Sequence, residues 1–428
     1  MPPVAAERTV RLLSSPPVTG FERGADGRLT CDGLPLSELA ERFGTPLYVY
    51  SWNRIEERFR SFDVAFASVP HVVCYAAKAN SSLAILKRLA ALGAGADVVS
   101  EGELRLVLES GIAADKIVFS GVGKTEGELA LGISKGLLAF NAESEREIEK
   151  IEDVAGRLGK IARVALRVNP DIDARSHPYI STGLKHNKFG VDIARAPAIF
   201  EKASRLPHVR MTGIQAHIGS QILEAGPLSE SARALAALAR RLTSAGASLE
   251  TIDVGGGLGI GEGALTPEQY ATAALPALAG LPQRILIEPG RAIAGPAGVL
   301  LTRVLYVKQE RGKTFVVADA GMNDLLRPAL YEAIHAIERV DGKTDPNIRA
   351  DVVGPVCETA DAFAQDLDMV CPNEGDLLAI RDAGAYGFVM SSNYNLRYRA
   401  AEVLVADGAA KLARRRETFE DFIRLEQS

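Results

Sequence analysis

Cysteine is scarce. Cys31, Cys74, Cys357 and Cys371 are the four in 428 residues, widely scattered and without a CxxC pair. That excludes a disulfide framework and sets a reducing cytoplasm as the expected setting. Charge of one sign is also lacking: 49 Lys and Arg against 54 Asp and Glu leave a formal net charge of −5. With no basic block, neither nucleic acid nor an anionic membrane is an expected partner. No window reaches 18 uncharged apolar residues, so no membrane span is expected. Met1 to Val18 carries charges and prolines but no continuous apolar run, so no signal peptide is expected there. Low-complexity tracts and fixed-period repeats are missing, as is a GxGxxG turn after the first barrel-type strand, which weakens a dinucleotide-binding reading.

What is present is an ordinary globular composition, 47% hydrophobic and 24% charged, over a length that suits two or three domains. From Val72 onward short apolar runs alternate with helix-like segments. The strand candidates are Val72–Ala79, Gly95–Ser100, Ile117–Gly121, Ala139–Glu143, Ala162–Pro170, Thr212–Ser220, Thr251–Gly257 and Arg284–Gly290. Helical periodicity lies between them at Leu83–Leu92, Gly102–Ser110, Ser144–Leu158 and Ser229–Ala245. Eight strands alternating with helices predict a closed (β/α)8 barrel, an α/β fold, with a doubly wound open sheet as the alternative. After about Ala294 β-like runs follow at Gly298–Lys308, Thr314–Ala318, Asp351–Val356, Asp376–Ile380 and Glu402–Ala406, predicting a second, mostly β domain. The expected division is an N-terminal segment, 1–45, joining the β domain, a barrel over 46–293, and the β domain over 294–428. A helix is expected at Leu36–Phe43 and another short one within Lys411–Glu426.

Chemistry gathers at the predicted strand ends, where a barrel builds its active site. The run Val72-Val73-Cys74-Tyr75-Ala76-Ala77 ends on Lys78. Partly desolvated, such a lysine has a lowered pKa and a free lone pair for Schiff-base chemistry; otherwise it is an ordinary solvated lysine. Gly255-Gly256-Gly257 is a phosphate cradle if its amides converge, or else a flexible turn. Ser220 offers a hydroxyl to the same phosphate. His217 is either structural or a flat ring for stacking. Glu288, before Pro289-Gly290-Arg291, is either a fixed carboxylate at the strand mouth or an ion-pair partner of Arg291. A lysine, a stackable imidazole, a phosphate cradle and a carboxylate are together what pyridoxal 5′-phosphate requires.

The ordered set of motifs resembles the fold-type III pyridoxal-phosphate decarboxylases, and within them the branch acting on meso-diaminopimelate. The match runs from about Pro46 to Val405. It includes Tyr75-Ala76-Ala77-Lys78-Ala79-Asn80, Ser181-Thr182-Gly183, Lys188-Phe189-Gly190 and His217-Ile218-Gly219-Ser220-Gln221. It continues through Gly255-Gly256-Gly257, Glu288-Pro289-Gly290-Arg291, Arg327-Pro328-Ala329-Leu330-Tyr331, Gly354-Pro355-Val356-Cys357-Glu358-Thr359 and Asp382-Ala383-Gly384-Ala385-Tyr386-Gly387.

The resemblance implies that Lys78 carries the cofactor, His217 stacks on its ring and Glu288 pairs with the pyridinium. Ser220, Gly255, Gly256, Gly257, the Pro289-Gly290-Arg291 turn and Tyr386 would hold it further. It also implies that Arg291, Arg327, Tyr331 and Tyr386 contact substrate, and that Cys357 and Glu358 come from the partner of a homodimer, Cys357 as proton donor. The residue-level alternative for Cys357 is a small buried hydrophobe. No metal enters this chemistry. Relatives acting on ornithine, arginine or carboxynorspermidine, a racemase-like enzyme and a non-catalytic pyridoxal-phosphate binder are the competing readings. Tyr398, where the family usually has a turn proline, is a departure expected to change local stiffness rather than chemistry. Asp173–His186 is a candidate lid.

Overall fold

The computed structural model describes residues 20–173 and 188–426. The expected Asp173–His186 lid and the Ser181-Thr182-Gly183 motif therefore lie almost wholly outside the described residues. Eight parallel strands, His71–Ala76, Gly95–Val98, Ile117–Phe119, Ala139–Ala142, Ala162–Asn169, Val209–Gln215, Thr251–Asp253 and Arg284–Ile287, pair in chain order. The ring closes where Leu286 meets Val72. All eight predicted strands are present, and the barrel, not the open sheet, is the outcome.

Helices cover the outside because their apolar residues repeat at helical spacing. In Glu145–Leu158, for example, Ile148, Ile151, Val154 and Ala155 are buried, and Ser144 caps the first turn. Inside, alternation with period two stacks side chains in layers. Cys74, Val118, Ala139, Ala165 and Leu286 form an apolar cluster. Two residues further along their strands come Ala76, Ser120, Asn141, Arg167 and Glu288, a layer that is largely polar and sits at the C-terminal rim.

The second domain is a sheet built around the 13-residue strand Gly298–Glu310, with Lys313–Ala318, Asn347–Val353 and Ala362–Val370 on one side. The strands Ala362–Val370 and Ala409–Arg414 are present where no strand was predicted. The expected domain boundary at residue 46 needs correction. Leu47–Ser51 pairs with both Gly298–Leu301 and Ala401–Val405, so this strand belongs to the second sheet, and the barrel side begins with the helix Trp52–Ala65. Every residue of Leu47–Ser51 is buried, as a central strand requires. The segment before it forms a three-stranded sheet over Phe21–Pro35, tied to the β domain by Leu29 N–H on the Val340 carbonyl at 2.8 Å. The tail forms the short helix Phe419–Ile423, and Tyr398 stacks on its Phe422 with ring centroids 5.4 Å apart. Among the described residues no helix is long and apolar enough to cross a membrane.

Candidate active site

A small cavity opens at the C-terminal rim, lined by Ala76, Lys78, His217, Ser220, Gly257, Leu258, Glu288, Pro289, Gly290, Arg291 and Tyr386. Larger surface depressions beside Arg339 and between Pro197 and Ser248 hold none of these groups. Lys78 stands in a 3-10 turn, Ala77–Ala79, just past its strand, with its Nζ 2.5 Å from Oδ2 of Asp97. Asp97 is fully buried and Lys78 about 34% exposed along its side chain. The expected lowered ammonium pKa is corrected here. Burial pulls it down, but Asp97, Tyr386 and Glu288 pull harder, and the pKa is raised.

Glu288 is buried and accepts from Asn141 Nδ2 at 3.3 Å and Gln215 Nε2 at 3.2 Å. It makes no ion pair with Arg291, which removes that alternative. Burial, with Asp253 and Asp97 beside it, holds its carboxyl well above the usual carboxylate range. His217 accepts the Gly256 amide on Nδ1 at 3.2 Å, which leaves Nε2 as the protonated nitrogen of a neutral ring. Burial, reinforced by Lys78 and Arg167, keeps that ring's pKa well below its ordinary value.

The three-glycine cradle is also corrected. The Gly255 amide donates to Asp253 Oδ1 at 2.8 Å and the Gly256 amide to His217, so Gly257 is the member that lines the cavity. Gly255 and Gly256 instead allow close packing: a Cβ on Gly256 would sit 2.0 Å from the Glu288 carbonyl oxygen. The glycine loop is zipped to the His217–Gln221 loop through Ile222 N–H on Gly257 O at 2.9 Å and Gln221 Nε2 on Ile260 O at 2.6 Å.

Arg291 donates to Ser220 Oγ through Nε at 3.3 Å and a terminal nitrogen at 3.1 Å, and its guanidinium lies 4.7 Å from the Tyr386 ring centroid. Tyr386 comes from the β domain, held by its N–H on the Ala79 carbonyl at 2.8 Å, with a backbone φ of 56°. A non-glycine residue in that left-handed region is strained, and such strain gathers at functional sites. Arg327 begins the short helix Arg327–Tyr331 and lies over the Tyr331 ring at 5.8 Å. Its pKa is drawn down to about 10 by burial and then by the Arg291 charge.

Cys357 and Glu358 are not brought to this cavity. Both are exposed, which removes the buried-hydrophobe alternative for Cys357. The Cys357 amide donates to Asn395 Oδ1 at 2.9 Å, and Glu358 accepts from Tyr394. Asp97, Asn141, Gln215 and Asp253 are site residues that sequence reading missed. Asp97 and Asn141 are the lone polar residues of short buried strands, and Gln215 and Asp253 are the last residues of theirs, so a buried polar side chain near a strand's C-terminal end was the signal.

These residues fit pyridoxal phosphate. A lysine side chain, a buried carboxyl, a neutral ring and a serine hydroxyl converge on one cavity. Buried oxygens with no donor, Asp97 Oδ1 and Asp253 Oδ2, remain beneath it.

Comparison with known proteins agrees. Residues 52–295 match the family model described as the pyridoxal-dependent decarboxylase, pyridoxal binding domain. Diaminopimelate decarboxylase of Aquifex aeolicus is 47% identical over 92% of this chain and 94% of its own length. That of Neisseria meningitidis serogroup A is 49% identical over 92% and 97%. The chain belongs to the diaminopimelate decarboxylase family. Among solved structures, the Helicobacter pylori diaminopimelate decarboxylase complexed with L-lysine superposes with a TM-score of 0.89 at 43% identity, covering 91% of this chain and 99% of that one. Pyridoxal phosphate is the cofactor of this pyridoxal-dependent family.

Proposed function

We propose that this chain removes the carboxylate from the D-centre of meso-2,6-diaminopimelate, giving L-lysine and CO2, the last step of lysine biosynthesis. The observation that carries this reading is the pair of guanidiniums, Arg291 lining the cavity with Lys78 and Arg327 near enough to Arg291 for their charges to repel. Neither has an acidic partner among the described residues. Two desolvated like charges favour an anion between them, and a distal carboxylate supplies it. Ornithine and L-lysine have no such carboxylate and would leave the arginines unpaired.

When bound, pyridoxal phosphate supplies the electron sink for the electron pair left as CO2 departs. Lys78 Nζ holds the coenzyme once its proton is lost, and Asp97 Oδ2, at 2.5 Å, is the base in contact. His217 covers one ring face as a neutral imidazole. Ser220 and the Gly290-Arg291 backbone hold the phosphate side, with Gly257, Pro289 and Tyr386 around them. Tyr331 and Tyr386 flank the arginines and direct the substrate's distal end.

In this reading a second copy of the chain completes each site. Its Cys357 Sγ protonates the carbon that lost CO2, and its Glu358 meets the distal ammonium. The exposure of both residues, outside their own chain's cavity, supports that assignment. The four free cysteines suit a cytoplasmic setting.

The test is CO2 release from meso-diaminopimelate, with ornithine, arginine and L-lysine as controls. Release from meso-diaminopimelate alone is expected; equal turnover of ornithine overturns the substrate assignment.

A further inference from the structure

Beneath the cavity, Asp253 and Glu288 end adjacent parallel strands and bring their buried carboxyls together. Both are at least 95% buried. Two carboxyls brought together away from water favour holding one proton between them. Neither nearby cation is ion-paired to Asp253 or Glu288, and the buried Asp97 carboxylate adds a like charge beside both. Lys78 is on Asp97 at 2.5 Å, and Arg167 is on Glu143 at 2.8 Å. The other titratable groups that face the pair, Cys74 and Tyr270, are buried and stay neutral. Asn141 and Gln215 supply amide donors to Glu288, and the Gly255 amide supplies one to Asp253 Oδ1, while no donor nitrogen or hydroxyl reaches Asp253 Oδ2.

We propose that Asp253 and Glu288 share a single proton carried on Glu288, and that Asp253 is a positioning residue that keeps it there for the ring nitrogen of the coenzyme. On transfer the Glu288 O–H bond breaks as the N–H bond forms, and Glu288 keeps the electron pair as a carboxylate, so the charge of the site is unchanged. The destination of the proton rests on the pyridoxal reading above; the shared proton itself does not. Two buried carboxyls in contact resist double ionisation, which supports the same picture.

The test is infrared spectroscopy of the full chain, freed of coenzyme, across pH. The wild type is expected to show at neutral pH a buried carboxylic-acid carbonyl band that is absent from Glu288→Gln, separate from the contribution of Asp324, whose pKa burial raises to about 7. In Asp253→Asn the band's titration midpoint falls by about one pH unit or more, because the neighbouring charge is gone. Addition of pyridoxal phosphate to the wild type removes the band. No such band at neutral pH in the wild type overturns the proposal whether or not the variants fold. An unmoved midpoint in a folded Asp253→Asn protein also overturns it, since burial alone would then account for the proton. Borohydride reduction of the loaded enzyme, followed by mass analysis at Lys78, reports separately on the pyridoxal reading.

Discussion

Arg327 shows how much one side chain's surroundings decide. Its guanidinium has an aromatic ring and a second guanidinium beside it but no carboxylate, so it waits for an anion. Arg327→Ala is expected to raise KM for meso-diaminopimelate by roughly 10- to 100-fold, the worth of a charged hydrogen bond, while the absorbance of bound coenzyme stays intact. Steady-state kinetics with a visible spectrum checks this, and loss of coenzyme in that variant would contradict its assignment to substrate. His335 is a second case. It is buried, its Nδ1–H donates to the Arg381 carbonyl at 2.7 Å, and burial, outweighing that bond, draws its pKa from 6.5 to about 4. The unfolded chain therefore binds the extra proton first. His335's contribution is full above about pH 6.5 and lost as pH falls toward 4, about 3 kcal/mol across that window. Urea unfolding at pH 7 and pH 5 should show the loss, and His335→Asn, which keeps a donor for the Arg381 carbonyl, should flatten it.

At the scale of elements, the strand ends and loops carry more of the site than their composition announced. The glycine run reads as a phosphate cradle in sequence because the residues are small and adjacent. The fold uses two of its three amides to orient Asp253 and His217 instead. Gly256→Ala would force a Cβ against the Glu288 backbone, a contact that no side-chain rotation relieves. A loss of about 3 kcal/mol and release of the coenzyme are expected, by thermal unfolding and absorbance respectively. By contrast, Thr125 forms a capping box with Glu128 on the helix Glu126–Lys135, away from the cavity. Thr125→Ala should cost about 1 kcal/mol in chemical denaturation and leave turnover unchanged. The strands Ala362–Val370 and Ala409–Arg414 escaped the sequence reading because charged and exposed residues interrupt their apolar pattern. Edge and half-solvated strands lack the continuous apolar run that betrayed the barrel strands.

For the whole molecule, the β domain is inseparable from the barrel. Tyr386 reaches the rim from it, Asn80 Nδ2 donates to the Gly384 carbonyl at 2.9 Å, and Leu47–Ser51 enters its sheet before the barrel begins. Exposure of Cys357 and Glu358 outside the cavity leads to an expectation about assembly. A Lys78→Ala chain and a Cys357→Ala chain, each inactive alone, should regain activity when unfolded, mixed equally and refolded. Random pairing into dimers with one intact site each gives about one quarter of the wild-type value. No recovery would place Cys357 within its own subunit's site.

The sequence by itself determined the barrel, because eight short buried strands alternating with amphipathic helices leave few other ways to bury their apolar residues. It also determined the identities of Lys78, His217 and Glu288 as residues at one rim, since chemistry collects where barrel strands end. Tertiary structure alone decided which amides are free, that Asp97 holds Lys78 charged, that Asp253 touches Glu288, and that Cys357 lies outside its own cavity. Those depend on distances between strands far apart in the chain and on which groups lose water together, and local patterns of residues carry neither.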